Sequence, residues 1–339
     1  MPSKAHGGAL TKKRMETVDV EFAVAAKQFI KRSHSAGKPF FVWMNTTGMH
    51  AWTHPAKEHL GKSGQGVYND VMVAHDELVG GMLDQLDDLG IADNTIVFYS
   101  TDNGVHYNTW PDAGITPFRS EKNTNWEGGY RVPAMVRWPG KIRAGEISNE
   151  VMSHLDWVPT IMAAVGEPNI KKELMKGKKI DDKTFKVHLD GHNFLPYLSA
   201  KTDKGPRDSF FYFSDDGMLV GARVKDWKVV YAEQRSKKFD VWREPFVRLR
   251  LPKLFHLRRD PFERADTDSN GYNTWWEENT AWLQYGSAKA LMFAQSFRQF
   301  PARQAPNSFT VDGVVKQLTT YRPAPGETVG AGAMGAISK

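Results

Sequence analysis

Three short segments of the sequence carry side chains that could act together on an anionic substrate. The first, Asp102-Asn103-Gly104, directly follows an apolar run at 95–99 and offers one carboxylate and one amide oxygen on a tight turn. Such hard oxygen ligands suit Ca²⁺ or Mg²⁺. Taken alone, however, a tripeptide of this kind is far more often an ordinary turn than a metal site.

The second segment places Lys122 five residues before Glu127-Gly128-Gly129. A lysine ammonium can bind an oxygen of an anionic ester and offset the charge that develops on a departing group. A solvated surface lysine is the simpler explanation when Lys122 is considered by itself.

The third segment contains two histidines, His50 and His54, after another apolar run at 40–44. An imidazole at this place can donate a proton or a hydrogen bond to a leaving oxygen. Two histidines four residues apart are also compatible with a zinc pair, but zinc needs a third ligand and the sequence nominates none. We retain His54 and His106 as candidate substrate-lining residues.

Composition limits the classes of protein and partner. The 339 residues are 40% hydrophobic and 25% charged, which predicts a globular chain of one large or two smaller domains. The net charge of +6 comes from basic residues spread among acids, so we expect no nucleic-acid partner. The chain has no cysteine, and any metal must therefore be bound by carboxylate, amide or imidazole groups.

No run of the sequence approaches the roughly eighteen apolar residues of a membrane helix, so no membrane partner is expected. The N-terminal residues 1–14 lack the apolar core of a signal peptide, and the chain as given is predicted to be cytoplasmic where it is made. A longer parent protein could carry a signal for the periplasm or for secretion further upstream.

Hydrophobic spacing predicts an α/β first half. Helical periodicity at 17–32 precedes the apolar run at 40–44, and helical periodicity at 67–89 precedes the run at 95–99. Alternating helices and continuously apolar strands favour a mostly parallel sheet between helices, with a further strand at 132–138. A helix is predicted from Asp156, interpreted as its N-cap, to Val165.

Beyond about residue 205 the pattern changes to short aromatic and β-branched runs separated by turn residues, which predicts a smaller antiparallel meander. A helix at about 279–297 follows it. The tail at 324–339 is rich in Gly, Ala and Pro and is predicted to be mobile.

The segments 100–104 and 122–133 closely resemble the metal-binding and anion-binding motifs of sulfatases, within the alkaline-phosphatase-like superfamily. The resemblance extends from about residue 11 to about residue 312 and corresponds to the C-terminal two-thirds or so of an arylsulfatase. It implies an alkaline-phosphatase-like α/β fold whose N-terminal strands are missing. The implied domains are a partial catalytic domain at 1–204 and a C-terminal subdomain at 205–323, followed by the tail.

The same resemblance implies a hydrolase in which a formylglycine hydrate attacks the sulfur of a small-molecule or glycan sulfate ester. Asp102 and Asn103 would hold Ca²⁺, or Mg²⁺, Lys122 would contact the sulfate, and His50 would assist departure of the alcohol. The C/S-x-P-x-R motif that supplies formylglycine is absent from the sequence, as are two metal carboxylates of the family. We therefore expect the chain by itself to be inactive.

Two alternatives remain at this stage: a non-catalytic anion-binding relative, and a phosphomonoesterase or phosphodiesterase of the same superfamily. The pairing of D-N-G with K-x₄-E-G-G argues against the phosphoesterases. Without the N-terminal strands, we also expect unpaired sheet edges around 40–44 and 96–99 that favour self-association.

Overall fold

A computed structural model describes residues 9–302. Within this range, no helix combines the length and the apolar character needed to cross a membrane. The predicted tail at 324–339 and the last part of the predicted second domain, 303–323, lie outside the described residues. The proposed domain boundaries stay a prediction.

The first part of the chain is mainly helical. Two long helices lie where helical periodicity predicted them. Of the residues that recur at helical spacing, Val18 is buried in the first helix and Val71 and Leu86 are buried in the second. The helices and strands of this part are α1 (Lys12–Met15), α2 (Val18–Ser35), α3 (Val67–Asp88), β1 (Val97–Ser100), α4 (Glu127–Tyr130), β2 (Ala134–Arg137), α5 (Trp157–Ala164), α6 (Ile170–Lys176), β3 (Lys178–Ile180), β4 (Lys183–Phe185) and α7 (Leu195–Leu198).

The predicted buried strand at 40–44 is wrong. This segment has no regular secondary structure, and the side chains of Phe41 and Trp43 are 67% and 81% exposed. A strand requires a neighbour that pairs with its backbone groups, and no strand of the described residues pairs with this segment. Its apolar residues face an open cleft instead of a sheet.

The strands β1 and β2 occupy the predicted runs at 95–99 and 132–138 and pair with each other in antiparallel register, Val97 opposite Arg137. Each ladder that the structure describes is antiparallel, so the parallel pairing expected for the first half is not among them. Parallel neighbours need a crossover that returns the chain to the same end of the sheet. Here the connection from β1 to β2 runs through a loop at 119–131 that contacts the second sheet, and β2 returns in the opposite direction.

The predicted antiparallel meander is confirmed. It is a four-stranded sheet in the order β5 (Ser209–Phe213), β6 (Leu219–Val224), β7 (Trp227–Glu233) and β8 (Val247–His256). The predicted late helix is α10 (Thr280–Gln299), which packs on β6 and β7 after the short helices α8 (Ala265–Asp268) and α9 (Tyr272–Glu278). One core cluster of this sheet contains Trp126, which comes from the first half of the chain.

Asp156 occupies the N-cap position of α5, as predicted, although its side chain accepts no hydrogen bond from a backbone N–H of that helix. Its carboxylate instead accepts a hydrogen bond from the Ser153 backbone N–H, in a capping box at the preceding 3₁₀ turn His154–Asp156, whose N-cap is Ser153. The same fully buried carboxylate receives two hydrogen bonds from Arg207, at 2.9 and 2.6 Å. Asp156 therefore links the start of α5 to the segment that leads into the second sheet.

Candidate active site

Two loops that carry predicted site residues are joined backbone to backbone. The turn after β1 carries Asp102 and Asn103, and the loop at 119–131 carries Lys122. The Gly104 N–H donates to the Gly129 carbonyl, and the Lys122 N–H donates to the Val105 carbonyl, each at 2.9 Å. The D-N-G and K-x₄-E-G-G motifs are therefore fixed in register with each other.

Glycine is required in both motifs because the two loops approach closely. A Cβ atom on Gly104 would lie 1.8 Å from the carbonyl oxygen of Gly128, and one on Gly128 would lie 2.2 Å from the carbonyl oxygen of Ser120. Gly104 does not have a positive φ. The narrow space between the two loops, and not the backbone conformation, therefore requires glycine at this position.

The loop that bears His50 is attached to the first helix layer and to the turn after β1. The Asp19 carboxylate in α2 accepts hydrogen bonds from the backbone N–H groups of Thr47 and Gly48, at 2.7 and 2.8 Å. The Trp110 indole N–H donates to the His50 carbonyl at 2.9 Å. The exposed His50 ring stacks against His106, with ring centroids 6.5 Å apart.

His54 lines the same cleft as His50, but the segment that joins them is irregular rather than helical. A spacing of four residues therefore does not place the two rings side by side, as it would on a helix face. Between residues 9 and 302, the structure contains no group of three His, Cys, Asp or Glu side chains arranged to hold a metal ion.

Lys122 lies beside Trp242, which in turn contacts His106. Its ammonium nitrogen lies 5.9 Å from the ring centroid of Trp242, and the Trp242 indole N–H donates to Nε2 of His106 at 3.3 Å. Burial lowers the pKa of His106, and the positive charges of Lys122 and His50 lower it further. His50, His106 and Lys122 are thus brought together around Trp242.

Asp102 and Asn103 present oxygen atoms on the same turn. The Asn103 amide nitrogen donates to the Gly104 carbonyl at 2.9 Å, which leaves the side-chain oxygen of Asn103 for another partner. The Asp102 carboxylate is exposed and accepts a hydrogen bond from Thr101 Oγ1 at 3.3 Å. The chemistry of the two groups suits Ca²⁺, which takes about six to eight oxygens. Two groups do not form such a site by themselves.

A buried charge cluster, made of Glu127, Lys228 and Glu263, attaches the Lys122 loop to the second sheet. The Lys228 ammonium in β7 lies 3.1 Å from Glu127 and 2.7 Å from Glu263, and all three residues are about 1% exposed or less. Lys228 also donates to the Asn125 carbonyl at 2.8 Å, and Glu263 accepts from the Glu127 backbone N–H at 2.6 Å. The second sheet therefore determines where the Lys122 loop lies.

All five predicted site residues, His50, His54, Asp102, Asn103 and Lys122, line one open cleft of about 4460 Å³. Ordinary small-molecule pockets measure about 300–1,000 Å³. The cleft is thus an open face of the molecule rather than an enclosed pocket, and residues of both parts of the chain line it.

Comparisons with known proteins bear on the fold and the family of the chain. The fold is alkaline-phosphatase-like α/β. The chain superposes on a crystal structure of PsFucS1 sulfatase from Pseudoalteromonas sp. with a TM-score of 0.71 and 22% sequence identity. The superposition covers 87% of this chain and 56% of the chain of that sulfatase. Residues 6–167 match the family model Sulfatase, and this part of the chain is a sulfatase-family domain.

Curated relatives share the family. The chain is 33% identical over 258 residues to N-acetylgalactosamine-6-sulfatase of Canis lupus familiaris, across 70% of this chain and 46% of that protein. It is 31% identical over 220 residues to an arylsulfatase of Hemicentrotus pulcherrimus, across 65% of this chain and 36% of that protein. The chain thus spans about half the length, or less, of the curated relatives it matches.

Sequence reasoning missed Trp242, Lys228 and Glu263. Trp242 lies 120 residues after Lys122 in a connection between two meander strands. Lys228 is the third basic residue within a short stretch, after Arg223 and Lys225, and looks like a solvent-exposed strand residue. Its position in β7, between hydrophobic neighbours on both sides, is the one sequence signal that could have indicated burial.

Proposed function

We propose that this chain provides the sulfate-binding and leaving-group side of a sulfatase active site, and that by itself it binds a sulfate ester without hydrolysing it. The observation that carries the proposal is the backbone hydrogen bonding that joins the D-N-G turn to the Lys122 loop, with His50 lining the same cleft. Family membership supports sulfate esters as the substrate class. The ester is a small molecule or a glycan.

In this arrangement the Lys122 ammonium binds a sulfate oxygen and offsets its negative charge. The exposed His50 imidazole donates a proton or hydrogen bond to the departing oxygen. The sequence holds neither a cysteine nor a C/S-x-P-x-R motif, so no residue of this chain is nominated for attack on sulfur. Without that step, only binding and electrostatic effects remain.

Calorimetric titration with inorganic sulfate tests the binding part of the proposal. We expect binding by the wild-type chain to be lost or weakened about tenfold or more in Lys122→Met, because a charge-assisted hydrogen bond to the anion is removed. Lys31→Met is the matched control, since Lys31 is exposed on α2 and does not line the cleft. Equal weakening in both variants would attribute binding to net charge and refute the site.

Hydrolysis of an aryl sulfate tests the catalytic part. We expect no turnover above background, and turnover that is abolished by His50→Ala would overturn this expectation. Turnover of an aryl phosphate by the same sample would instead indicate a phosphoesterase. Sulfate binding without either turnover agrees with the non-catalytic relative as well as with an incomplete sulfatase.

We further propose that Asp102 and Asn103 supply two ligands of a Ca²⁺ or Mg²⁺ site. One formal charge and two side chains predict weak binding. Titration of the wild type and Asp102→Ala with Ca²⁺ is the test. A submicromolar site that disappears in Asp102→Ala would show that other groups of the chain complete the ligand set.

A further inference from the structure

Trp242 lies in the connection between β7 and β8, at the end of a short 3₁₀ helix, Lys238–Trp242. This helix is fixed on two sides through the carbonyl of the buried Val241. Asn123 of the Lys122 loop donates to that carbonyl at 2.7 Å, and Gln234 at the end of β7 donates to it at 3.3 Å. The indole therefore reaches the candidate site from a rigid support in the second sheet.

The hydrogen bond between Trp242 and His106 determines the tautomer of the imidazole. An indole N–H can only donate, so Nε2 of His106 must be the acceptor in the 3.3 Å contact. The ring of Trp242 stands at 90° to that of His106, with centroids 5.8 Å apart. A neutral His106 then carries its proton on Nδ1, an atom that is buried and has no hydrogen-bond partner among the described residues.

The neutral state of His106 follows from its surroundings. It is partly buried, and the titratable groups that act on it, Lys122 and His50, are cationic or become cationic on protonation. Both effects hold the pKa of His106 below its ordinary value. A second positive charge is thereby kept away from Lys122.

The ring face of Trp242 completes the arrangement, because the Lys122 ammonium lies 5.9 Å from its centroid. A cation close to an indole face is attracted by the negative face of the ring. A lysine that is already held loses less rotamer freedom when it binds an anion.

We propose that Trp242 is a positioning residue of the candidate active site: its indole N–H holds His106 in the Nδ1–H tautomer, and its ring face holds the Lys122 ammonium. The part of this proposal that concerns sulfate binding by Lys122 rests on the proposed function. The tautomer of His106 does not depend on that function, so the two parts of the proposal can fail separately.

Nitrogen chemical shifts of isotope-labelled histidines test the first half of the proposal, with the His106 signals assigned by their loss in His106→Gln. In the wild-type chain near neutral pH, we expect the Nδ1–H tautomer. In Trp242→Phe, which keeps a ring but loses the donor, we expect a mixture of the two tautomers of His106. Trp276→Phe is the matched control. Trp276 lies in α9, away from the cleft, and its indole N–H donates to the Pro252 carbonyl, so this variant also loses one indole donor.

Titration with inorganic sulfate tests the second half. Trp242→Leu, which lacks both donor and ring face, should weaken sulfate binding about two- to fivefold relative to Trp276→Phe, the range expected from losing a cation–π contact at a partly exposed site. A wild-type His106 in the Nε2–H tautomer, or a tautomer unchanged in both Trp242 variants, overturns the proposal. Sulfate binding that is equal in Trp242→Leu and the control overturns the role toward Lys122.

If the wild-type chain binds no sulfate while the tautomers change as expected, the proposed function fails and the positioning of His106 by Trp242 stands. Unfolding curves of all variants accompany the titrations. Trp242→Phe and Trp242→Leu both lack the indole N–H that donates to His106. A folded sample of either variant is therefore enough to test whether Trp242 determines the tautomer of His106.

Discussion

Replacement of Lys228 by methionine should destabilise the molecule strongly, because it removes the cation between two buried carboxylates. Lys228 is fully buried, and its ammonium lies 3.1 and 2.7 Å from Glu127 and Glu263. After the substitution Glu127 keeps its 2.7 Å ion pair with Arg131, whereas Glu263 loses its cation. Removing one partner of a buried ion pair costs about 3–5 kcal/mol, and we expect a loss of unfolding free energy in this range.

Urea unfolding monitored by tryptophan fluorescence measures this loss, since Trp126 belongs to the core beside the cluster. The control is Lys289→Met, which removes an ion pair at 2.9 Å to a half-exposed Asp208 and should cost less than about 1 kcal/mol. Adding Glu263→Gln to Lys228→Met should restore part of the stability, because it removes the uncompensated charge.

The pH dependence provides a second test. Burial raises the pKa of Glu127, but Lys228, Arg131 and Arg223 outweigh it and lower the pKa to about 2 from its ordinary value of 4.5. A lowered pKa gives stability that is present above about pH 4.5 and lost as the pH falls toward 2. Burial, together with the charge of Glu127, raises the pKa of Glu263, so its effect has the opposite sign: stability is lost as the pH rises through its folded pKa.

Without Lys228, both carboxylates should bind protons more readily in the folded state. The deficit of Lys228→Met relative to wild type should therefore be largest near neutral pH and should narrow as the solution is acidified. A loss below about 1 kcal/mol near neutral pH, or a deficit that does not change with pH, would refute the view that this cluster fixes the Lys122 loop through buried charge.

Three further predictions follow from other contacts. Gly104→Ala should lower the free energy of unfolding by about 1–3 kcal/mol, because its methyl group clashes with the Gly128 carbonyl. Gly80→Ala, at a helix position with open space, should raise it by about 1 kcal/mol. Thermal unfolding compares the two variants, and equal effects would contradict the close approach of the two loops. Asp156→Asn should cost about 3–5 kcal/mol in urea unfolding by leaving Arg207 unpaired, and a loss no larger than that of the exposed control Asp226→Asn would argue against a buried link. We propose that the exposed apolar residues around the cleft, Phe41, Trp43 and Met135 among them, favour self-association with a second copy of the chain; sedimentation equilibrium should show dimers or larger species, and a monomer at every concentration would contradict this.

The local patterns of the sequence were sufficient for the elements whose stability is mostly local or between neighbours. Helices α2, α3 and α10 follow from apolar residues at helical spacing, and the meander follows from short β-branched and aromatic runs between turns. The motifs also indicated Asp102, Asn103 and Lys122, because their chemistry and spacing are properties of the chain itself. Family resemblance, rather than composition, distinguished them from an ordinary turn and a surface lysine.

What the sequence could not determine depends on groups that are distant along the chain. The segment at 40–44 has the composition of a strand, but a strand exists only when a second backbone pairs with it, and the described residues provide none. Gly104 is required by the carbonyl of Gly128, and Trp242 meets His106 and Lys122 only because the second sheet brings it there. Lys228 is of a residue type that usually lies on the surface, yet it is buried and paired with two carboxylates. In each case the deciding interaction joins residues that no local pattern relates, so that only the tertiary structure could decide it.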